Sequence, residues 1–139
     1  VLADYEEFKK KLGLAIEGEN YHLFGEQLYL VPQGMTDIKG LKVERPGLHL
    51  GSFKKRRFEP SHGLALSLQA SQVSNSISFP ADSAEIRAYL HGESIYLEKY
   101  QAELSGGWCL VLVDGFSVGW GKVSNGILKN HYPKGLRRP

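Results

Sequence analysis

Few residues of this 139-residue chain have types and spacing that suit catalysis, and each has a simpler structural interpretation. Ser61 and His62 are a nucleophile and a base in sequence, but adjacent helical residues point about 100° apart. No G-x-S-x-G motif surrounds the serine. Cys109 lies in the apolar run 108–113, where burial raises the pKa of a thiol. The sequence therefore predicts a helix start at Ser61 and a core thiol at Cys109.

Metal and cofactor motifs are missing from the sequence as well. The five histidines lack a ligand spacing such as H-x-x-x-H, and a single cysteine forms neither a disulfide nor a cysteine zinc site. Gly121 to Gly126 has the glycine spacing of a phosphate loop, but Ile127 stands where that loop needs lysine. No G-x-G-x-x-G motif occurs. We expect no catalytic residue, metal or cofactor in this chain.

Positive charge is concentrated in two segments, although the net charge is only +2. Residues 39–58 carry a net +6, and five cations but no acid follow Asp114. Such segregation is typical of nucleic-acid surfaces, where cations neutralise phosphates while His and Tyr stack on unpaired bases and Asn reads their edges. The predicted RNA-binding residues are Lys54, Lys55, Arg56, Arg57, Lys122, Lys129, Asn130, His131, Tyr132, Lys134, Arg137 and Arg138.

The elements that would position these cations are clearest near the C-terminal end of the sequence. Asp114-Gly115 and Asn125-Gly126 are typical of two-residue hairpin turns, because both positions of a type I′ turn need positive φ. They separate the runs 108–113, 116–124 and 127–130, which predicts a three-stranded meander. The first run lacks polar alternation, so it should be a central strand covered on both faces, as in a small closed barrel.

Capping signals predict three short helices in the remaining chain. Asp4 with Glu7, and Asp82 with Glu85, resemble capping boxes, and Pro60 suits a first helical position. The helices are 4–12, ending at Gly13; one that opens with 58–61; and 83–91, ending at Gly92.

Short apolar runs between turn residues predict additional strands. These are 28–31, 41–45, 48–53, 77–79 and 95–97. The serine-rich stretch 69–76 suits a linker or flexible loop. The pattern predicts an α+β protein with an N-terminal helix and connector in 1–27, a first α+β subdomain in 28–76 and a barrel portion in 77–139. No run approaches the ~18 apolar residues of a membrane span, so we expect a cytoplasmic protein.

Seven segments carry a family resemblance. They are Leu28-Tyr-Leu-Val-Pro32, Gly47-Leu-His-Leu-Gly51, Arg57-Phe-Glu-Pro-Ser-His62, Tyr89-Leu-His-Gly-Glu93, Val113-Asp-Gly-Phe116, Gly119-Trp-Gly-Lys122 and Leu128-Lys-Asn-His-Tyr-Pro-Lys-Gly-Leu-Arg137. They resemble the C-terminal region of the bacterial Nol/Nop/Sun-type RNA cytosine-5 methyltransferases, the ribosomal-RNA methyltransferase F group. The similarity runs from about Leu28 to Arg138.

The resemblance implies a small PUA-like β-barrel, mixed or antiparallel, with flanking short helices. Such a module would bind ribosomal RNA, of the small subunit, and present it to a separate catalytic domain that uses S-adenosylmethionine. That domain's two cysteines stand in P-C and T-C contexts, whereas Cys109 follows Trp108. No catalytic residue is therefore transferred to this chain. The first residue is Val rather than Met, which suggests a piece of a longer protein or a processed chain.

Other interpretations remain open at this stage. The basic segments could be solvated faces, with Tyr132 and Pro133 packed to close the barrel. The chain could be a protein-interaction module that docks on the catalytic domain or on a ribosomal protein, which an exposed apolar patch would favour. A free-standing enzyme would need a concave pocket with convergent polar groups, which the sequence does not display.

Overall fold

A computed structural model describes residues 2–31, 47–55, 57–97 and 104–138. Within these ranges the helices are α1 (Ala3–Leu12), α2 (His62–Ser67) and α3 (Ala84–His91). The strands are β1 (Tyr21–Phe24), β2 (Gln27–Leu30), β3 (Leu48–Lys54), β4 (Arg57–Pro60), β5 (Ser76–Phe79), β6 (Ile95–Tyr96), β7 (Gly107–Val113), β8 (Phe116–Ser124) and β9 (Ile127–Asn130). No described helix has the length and hydropathy needed to cross a membrane.

The strands form two sheets, which confirms the α+β prediction. The first sheet is antiparallel, with strand order β1-β2-β3-β4. The second has the order β5-β7-β8-β9-β6 and is antiparallel except where β5 and β7 run parallel. Among the described residues the second sheet is a curled half-barrel with β5 and β6 at its edges.

The predicted meander is confirmed as β7-β8-β9. Both turns have positive φ throughout: 48° and 86° at Asp114 and Gly115, and 52° and 76° at Asn125 and Gly126. These are the angles that a type I′ turn requires. β7 lies between β5 and β8, and its residues from Cys109 to Leu112 are buried, as expected of a central strand covered on both faces.

Two hydrophobic clusters fill the molecule. The shared core joins both sheets with α1 and α2, and the second core lies between the second sheet and α3. The buried residues of the shared core are Tyr5, Phe8, Leu12, Leu14, Leu28, Leu50, Phe58, Leu64, Ala65, Leu68, Val73, Leu110, Leu112 and Trp120. Those of the second core are Ile77, Phe79, Ile86, Tyr89, Ile95, Leu97, Cys109, Val111 and Leu128.

The predicted opening of the second helix at 58–61 is wrong for 58–60, which is strand, and right only for Ser61, which caps α2. Arg57–Pro60 forms β4 at the edge of the first sheet, and α2 begins at His62. Phe58 is buried and packs against the rings of Tyr5 and Phe8, each 5.1 Å away. Core packing of Phe58 thus overrides the helical preference of Pro60, whose missing N–H is tolerated on an edge strand.

The helix ends were predicted better than the starts. Gly13 and Gly92 end α1 and α3 in the left-handed conformation, with φ of 68° and 100°. The predicted capping boxes do not form the N-caps: Leu2 precedes α1 without a side-chain bond, and Ser83 caps α3 by accepting from the Ile86 N–H at 3.2 Å. Ser83, and not Asp82, is the N-cap because its short side-chain hydroxyl reaches the backbone amide three residues ahead.

The stretch predicted as a linker or flexible loop, 69–76, does connect the two sheets, but it packs against the protein. A 3-10 helix occupies Ala70–Gln72, Val73 is buried, and the side chain of Asn75 is only 3% exposed. Strands predicted at 28–31, 48–53, 77–79 and 95–97 are confirmed as β2, β3, β5 and β6 within one or two residues. Strand β1 was not predicted, and 41–45 lies outside the described residues.

Candidate nucleic-acid interface

The structure brings one cation from each basic segment into the same groove. The β3–β4 hairpin pairs Lys54 with Arg57, and the β7–β8 hairpin pairs Trp108 with Lys122. Arg57, Trp108 and Lys122 line a groove of about 290 Å³ beside α1, which we call the basic groove. Its other lining residues are Asp4, Glu7, Phe8, Lys11, Leu12, Phe58, Gly106 and Gly107.

Trp108 is the aromatic residue of this groove, and sequence reasoning missed it. The indole is half-buried, with the Lys122 ammonium 5.3 Å from its ring centroid. The His131 ring packs against it edge-on at 4.6 Å. Two rings and a cation are therefore grouped at the end of the strand that sequence reasoning treated only as core.

Lys122 and Lys129 extend the positive charge across the second sheet. They are register partners on β8 and β9, and both side chains are exposed. Directly opposed like charges destabilise a sheet, and an anion bound between them removes that repulsion. The pair is therefore a positive patch whose repulsion a bound anion would relieve.

His131 contributes a neutral ring. Burial is the main cause that lowers the pKa of its imidazole; Glu59 opposes this shift, and Lys129, Lys122 and Arg137 add to it. Its Nε2 is buried and has no hydrogen-bond partner among the described residues. At neutral pH His131 is therefore an uncharged ring packed on Trp108.

Three predicted residues of the tail make bonds within the protein. The Asn130 amide donates to the Tyr89 and Glu93 carbonyls, at 2.8 and 2.9 Å, and accepts from the Tyr132 N–H. The Tyr132 ring packs against Tyr89 at 5.3 Å. Arg137 donates from Nε to the Tyr132 carbonyl at 3.1 Å. This tail packs on the C-terminal end of α3, as the barrel-closing interpretation of Tyr132 expected.

The other predicted cations are spread more widely. Lys54, Lys55 and Lys134 are exposed. Arg138 lines a different hollow, of about 530 Å³, with Arg87 and His91 beside α3. Arg56 lies outside the described residues. Of the predicted set, the structure groups Arg57, Lys122, Lys129 and His131, and it does not bring Arg138 to the basic groove.

The candidate catalytic residues are used structurally. The Ser61 hydroxyl caps α2 by accepting from the Leu64 N–H at 3.0 Å and donates to the His49 carbonyl. Burial raises the pKa of the Cys109 thiol to about 12, and the side chain is fully buried. Across the described parts of the chain, no group of three or more His, Cys, Asp or Glu side chains could hold a metal ion. The helix-start and core-thiol predictions are confirmed.

Two family models match this chain, one on each sheet. Residues 7–68, which contain the first sheet, match the RsmF rRNA methyltransferase first C-terminal domain. Residues 76–138, which contain the second sheet, match the methyltransferase RsmF PUA domain. The curled second sheet with its helices is a PUA-like fold, as the resemblance implied. The chain belongs to the RsmF-type rRNA methyltransferase family, and it matches the C-terminal region of that family.

Proposed function

We propose that this chain is an RNA-binding module whose main phosphate contacts are Arg57, Lys122 and Lys129. The observation that carries the proposal is the convergence of Arg57 and Lys122 on Trp108 in one groove, with Lys129 opposite Lys122. Cations grouped on one surface neutralise phosphates of a bound strand, and the half-buried indole offers part of its ring to a base.

The acidic residues beside the groove offset only part of this charge. Glu7 forms an ion pair with Lys11 at 2.9 Å, so the two side chains largely neutralise each other. Asp4 lines the groove on the α1 side. Lys122 and Lys129 lie on β8 and β9 and make no ion pair among the described residues. The positive charge facing a ligand is therefore concentrated on the second sheet and on Arg57.

In the parent enzyme this module would supply affinity and orientation rather than chemistry. Binding ribosomal RNA raises its effective concentration at a distant active site. That site belongs to a separate catalytic domain that transfers a methyl group from S-adenosylmethionine to C5 of a cytosine in small-subunit ribosomal RNA, in the cytoplasm. The two family matches support methyl transfer to ribosomal RNA by the parent enzyme, and the resemblance implies the methyl donor, the cytosine and the small subunit.

The test is the salt dependence of binding to a small-subunit ribosomal-RNA fragment. Lys122→Glu with Lys129→Glu should weaken binding across RNA sequences. The slope of log K against log salt should become shallower by about 1–2, because each phosphate contact contributes about 0.7–0.9. Fluorescence anisotropy of the labelled fragment at several salt concentrations measures both quantities.

A matched control has the same change in net charge. Lys10→Glu with Arg87→Glu reverses two exposed cations outside the basic groove, on α1 and α3. If this control lowers the slope as much as the Lys122 and Lys129 changes do, binding follows net charge and the proposed site is wrong. If the unmodified chain binds no RNA even at low salt, the RNA-binding function itself is rejected.

A further inference from the structure

The first sheet carries four rings on one face, and the basic groove does not include them. His22, Tyr29 and His49 are register neighbours across β1, β2 and β3. Phe24 stacks on His22 at 6.4 Å and meets Tyr29 edge-on at 5.6 Å, and Tyr29 stacks on His49 at 4.9 Å. We call His22, Phe24, Tyr29 and His49 the ring ladder.

The ring ladder lies on the face opposite the shared core. Leu28 and Leu50, the chain neighbours of Tyr29 and His49, are fully buried in that core, and successive strand residues point to opposite faces. No ladder ring belongs to either hydrophobic cluster, and Phe24 is 52% exposed. Phe24, at the end of the ladder, therefore offers ring surface to a flat ligand, and the other three rings are half-buried.

Polar groups between the rings suit base recognition. Gln27 Oε1 accepts from Ser52 Oγ at 2.8 Å and lies 2.7 Å from His49 Nε2. Because Oε1 serves both partners, the Gln27 amide nitrogen keeps two N–H donors for other acceptors. The carbonyl and ring-nitrogen edges of unpaired bases are such acceptors, whereas a purely apolar partner would leave these donors unsatisfied.

Charge at one end of the sheet favours a phosphate-bearing partner. Lys54 follows Ser52 by two residues on β3, so both start from the same face, and Lys55 is exposed in the next turn. The acidic neighbours at this end are Glu26, in the β1–β2 turn, and Glu59, the register partner of Ser52 on β4. With Arg57 opposite Lys54, three cations face these two acids where the ring ladder ends at Phe24.

We propose that the ring ladder is a second RNA contact, a stacking platform for unpaired nucleotides whose phosphates lie toward Lys54 and Lys55. Rings on an open sheet face next to cations are a common arrangement for single-stranded nucleic acid. A duplex keeps its bases stacked internally and offers no ring face, so the ligand is single-stranded. The inference rests on the RNA-binding function proposed above but assigns a different surface and a different type of contact.

The test compares two probes that differ only in their bases. One is a labelled oligouridine, and the other is an abasic oligonucleotide with the same number of phosphates. Phe24→Leu keeps an apolar side chain but removes the ring, while Phe24→Tyr restores a ring. Phe24→Leu should weaken oligouridine binding about tenfold, since stacking on one aromatic ring contributes about 1–3 kcal/mol per base, and should leave the abasic probe unchanged. Phe24→Tyr should bind like the unmodified chain.

Tryptophan fluorescence separates this site from the basic groove. Both tryptophans, Trp108 and Trp120, lie in the second sheet, so quenching by RNA reports on the groove and not on the ladder. Quenching by a ribosomal-RNA fragment should be the same in Phe24→Leu and the unmodified chain. Thermal unfolding of each variant verifies that the exposed substitution leaves the fold intact.

Each other outcome overturns the inference in a distinguishable way. Unchanged oligouridine binding in Phe24→Leu, with normal tryptophan quenching, rejects the ladder but keeps the proposed function. Equal weakening of both probes rejects stacking. A shift from dimer to monomer in sedimentation of Phe24→Leu, with RNA binding intact, assigns the face to a second copy of the chain. Absence of any RNA binding by the unmodified chain rejects both proposals.

Discussion

The two sheets are covered differently by the rest of the chain. In the second sheet, Leu110 and Leu112 of β7 face the shared core, while Cys109 and Val111 face the second core, so this strand is buried on both sides. The first sheet packs one face on the shared core and leaves the ring ladder on the other. The first sheet is therefore covered on one face, whereas β7 of the second sheet is covered on both.

The two halves also differ in whether each can bury its apolar residues without the other. All buried residues of the second core come from 77–128. The shared core, in contrast, needs Leu110, Leu112 and Trp120 from the second sheet to cover the first. The Trp120 indole also donates to the Ser61 carbonyl at 2.8 Å, which ties β8 to the start of α2. The first sheet thus depends on the second more than the reverse.

The largest expected effects come from one leucine in each core. Leu28 in β2 and Leu128 in β9 are both fully buried, the first in the shared core and the second in the second core. Leu28→Ala and Leu128→Ala should each lower the free energy of unfolding by about 2–5 kcal/mol. Urea unfolding measures the loss, and native-state hydrogen exchange shows where it acts.

The pattern of hydrogen exchange tests whether the first sheet depends on the second more than the reverse. Leu28→Ala should open the first sheet while β7 and β8 keep most of their protection. Leu128→Ala should reduce protection in both sheets, because the first relies on the second. Equal loss of protection in both sheets for Leu28→Ala would falsify the dependence and indicate one cooperative unit.

Local signals in the sequence were sufficient for the second sheet's meander but not for its register. The Asp114-Gly115 turn is specified by two residues, so it could be predicted. A register shift between Val111 and Leu112 then moves the pairing by one position and places Trp108 opposite Lys122. A bulge of this kind is set by packing on both faces, which the sequence does not display. The aromatic part of the basic groove was missed for this reason.

The junction between the two halves gives the next largest effect. Asn75 donates to the Ser105 and Trp108 carbonyls, at 3.0 and 2.9 Å, and accepts from the Ser105 N–H at 3.0 Å. Asn75→Ala leaves these backbone groups without their partner, which should lower the free energy of unfolding by about 1–3 kcal/mol. Ser71→Ala, an exposed change in the neighbouring 3-10 helix, is the control. Equal urea midpoints for the two variants would show that the junction is a passive linker.

Asn75 also illustrates what composition hides. A stretch rich in Ser, Gln and Asn was interpreted as a linker because polar residues are common in loops. Here one of them is buried, with three hydrogen bonds that order the stretch between the sheets. Burial of a single side chain depends on contacts far along the chain, such as the one with Ser105. Composition over several residues cannot reveal it.

The smallest expected effect concerns two histidines where the halves meet. Burial lowers the pKa of His62, which packs on Tyr132 at 5.8 Å, and is also the main cause of the lowered pKa of His131 beside Trp108. In the unfolded chain both titrate near about 6.5. Below about pH 6.5 the unfolded state therefore binds more protons than the folded state. The stability that the two neutral histidines contribute is present above this pH and is lost as the pH falls.

Acid should therefore loosen the contact between the halves before it affects either core. Urea unfolding at about pH 7.5 and about pH 5.5 measures the loss of stability. His62→Gln with His131→Gln should reduce the difference in stability between the two pH values. The double variant lacks the two imidazoles that take up protons on unfolding. Ser71→Ala, an exposed change that removes no titratable group, should leave the difference unchanged. If the double variant keeps the full pH dependence, the acid-sensitive groups lie elsewhere and the two halves separate by a route that does not involve these rings.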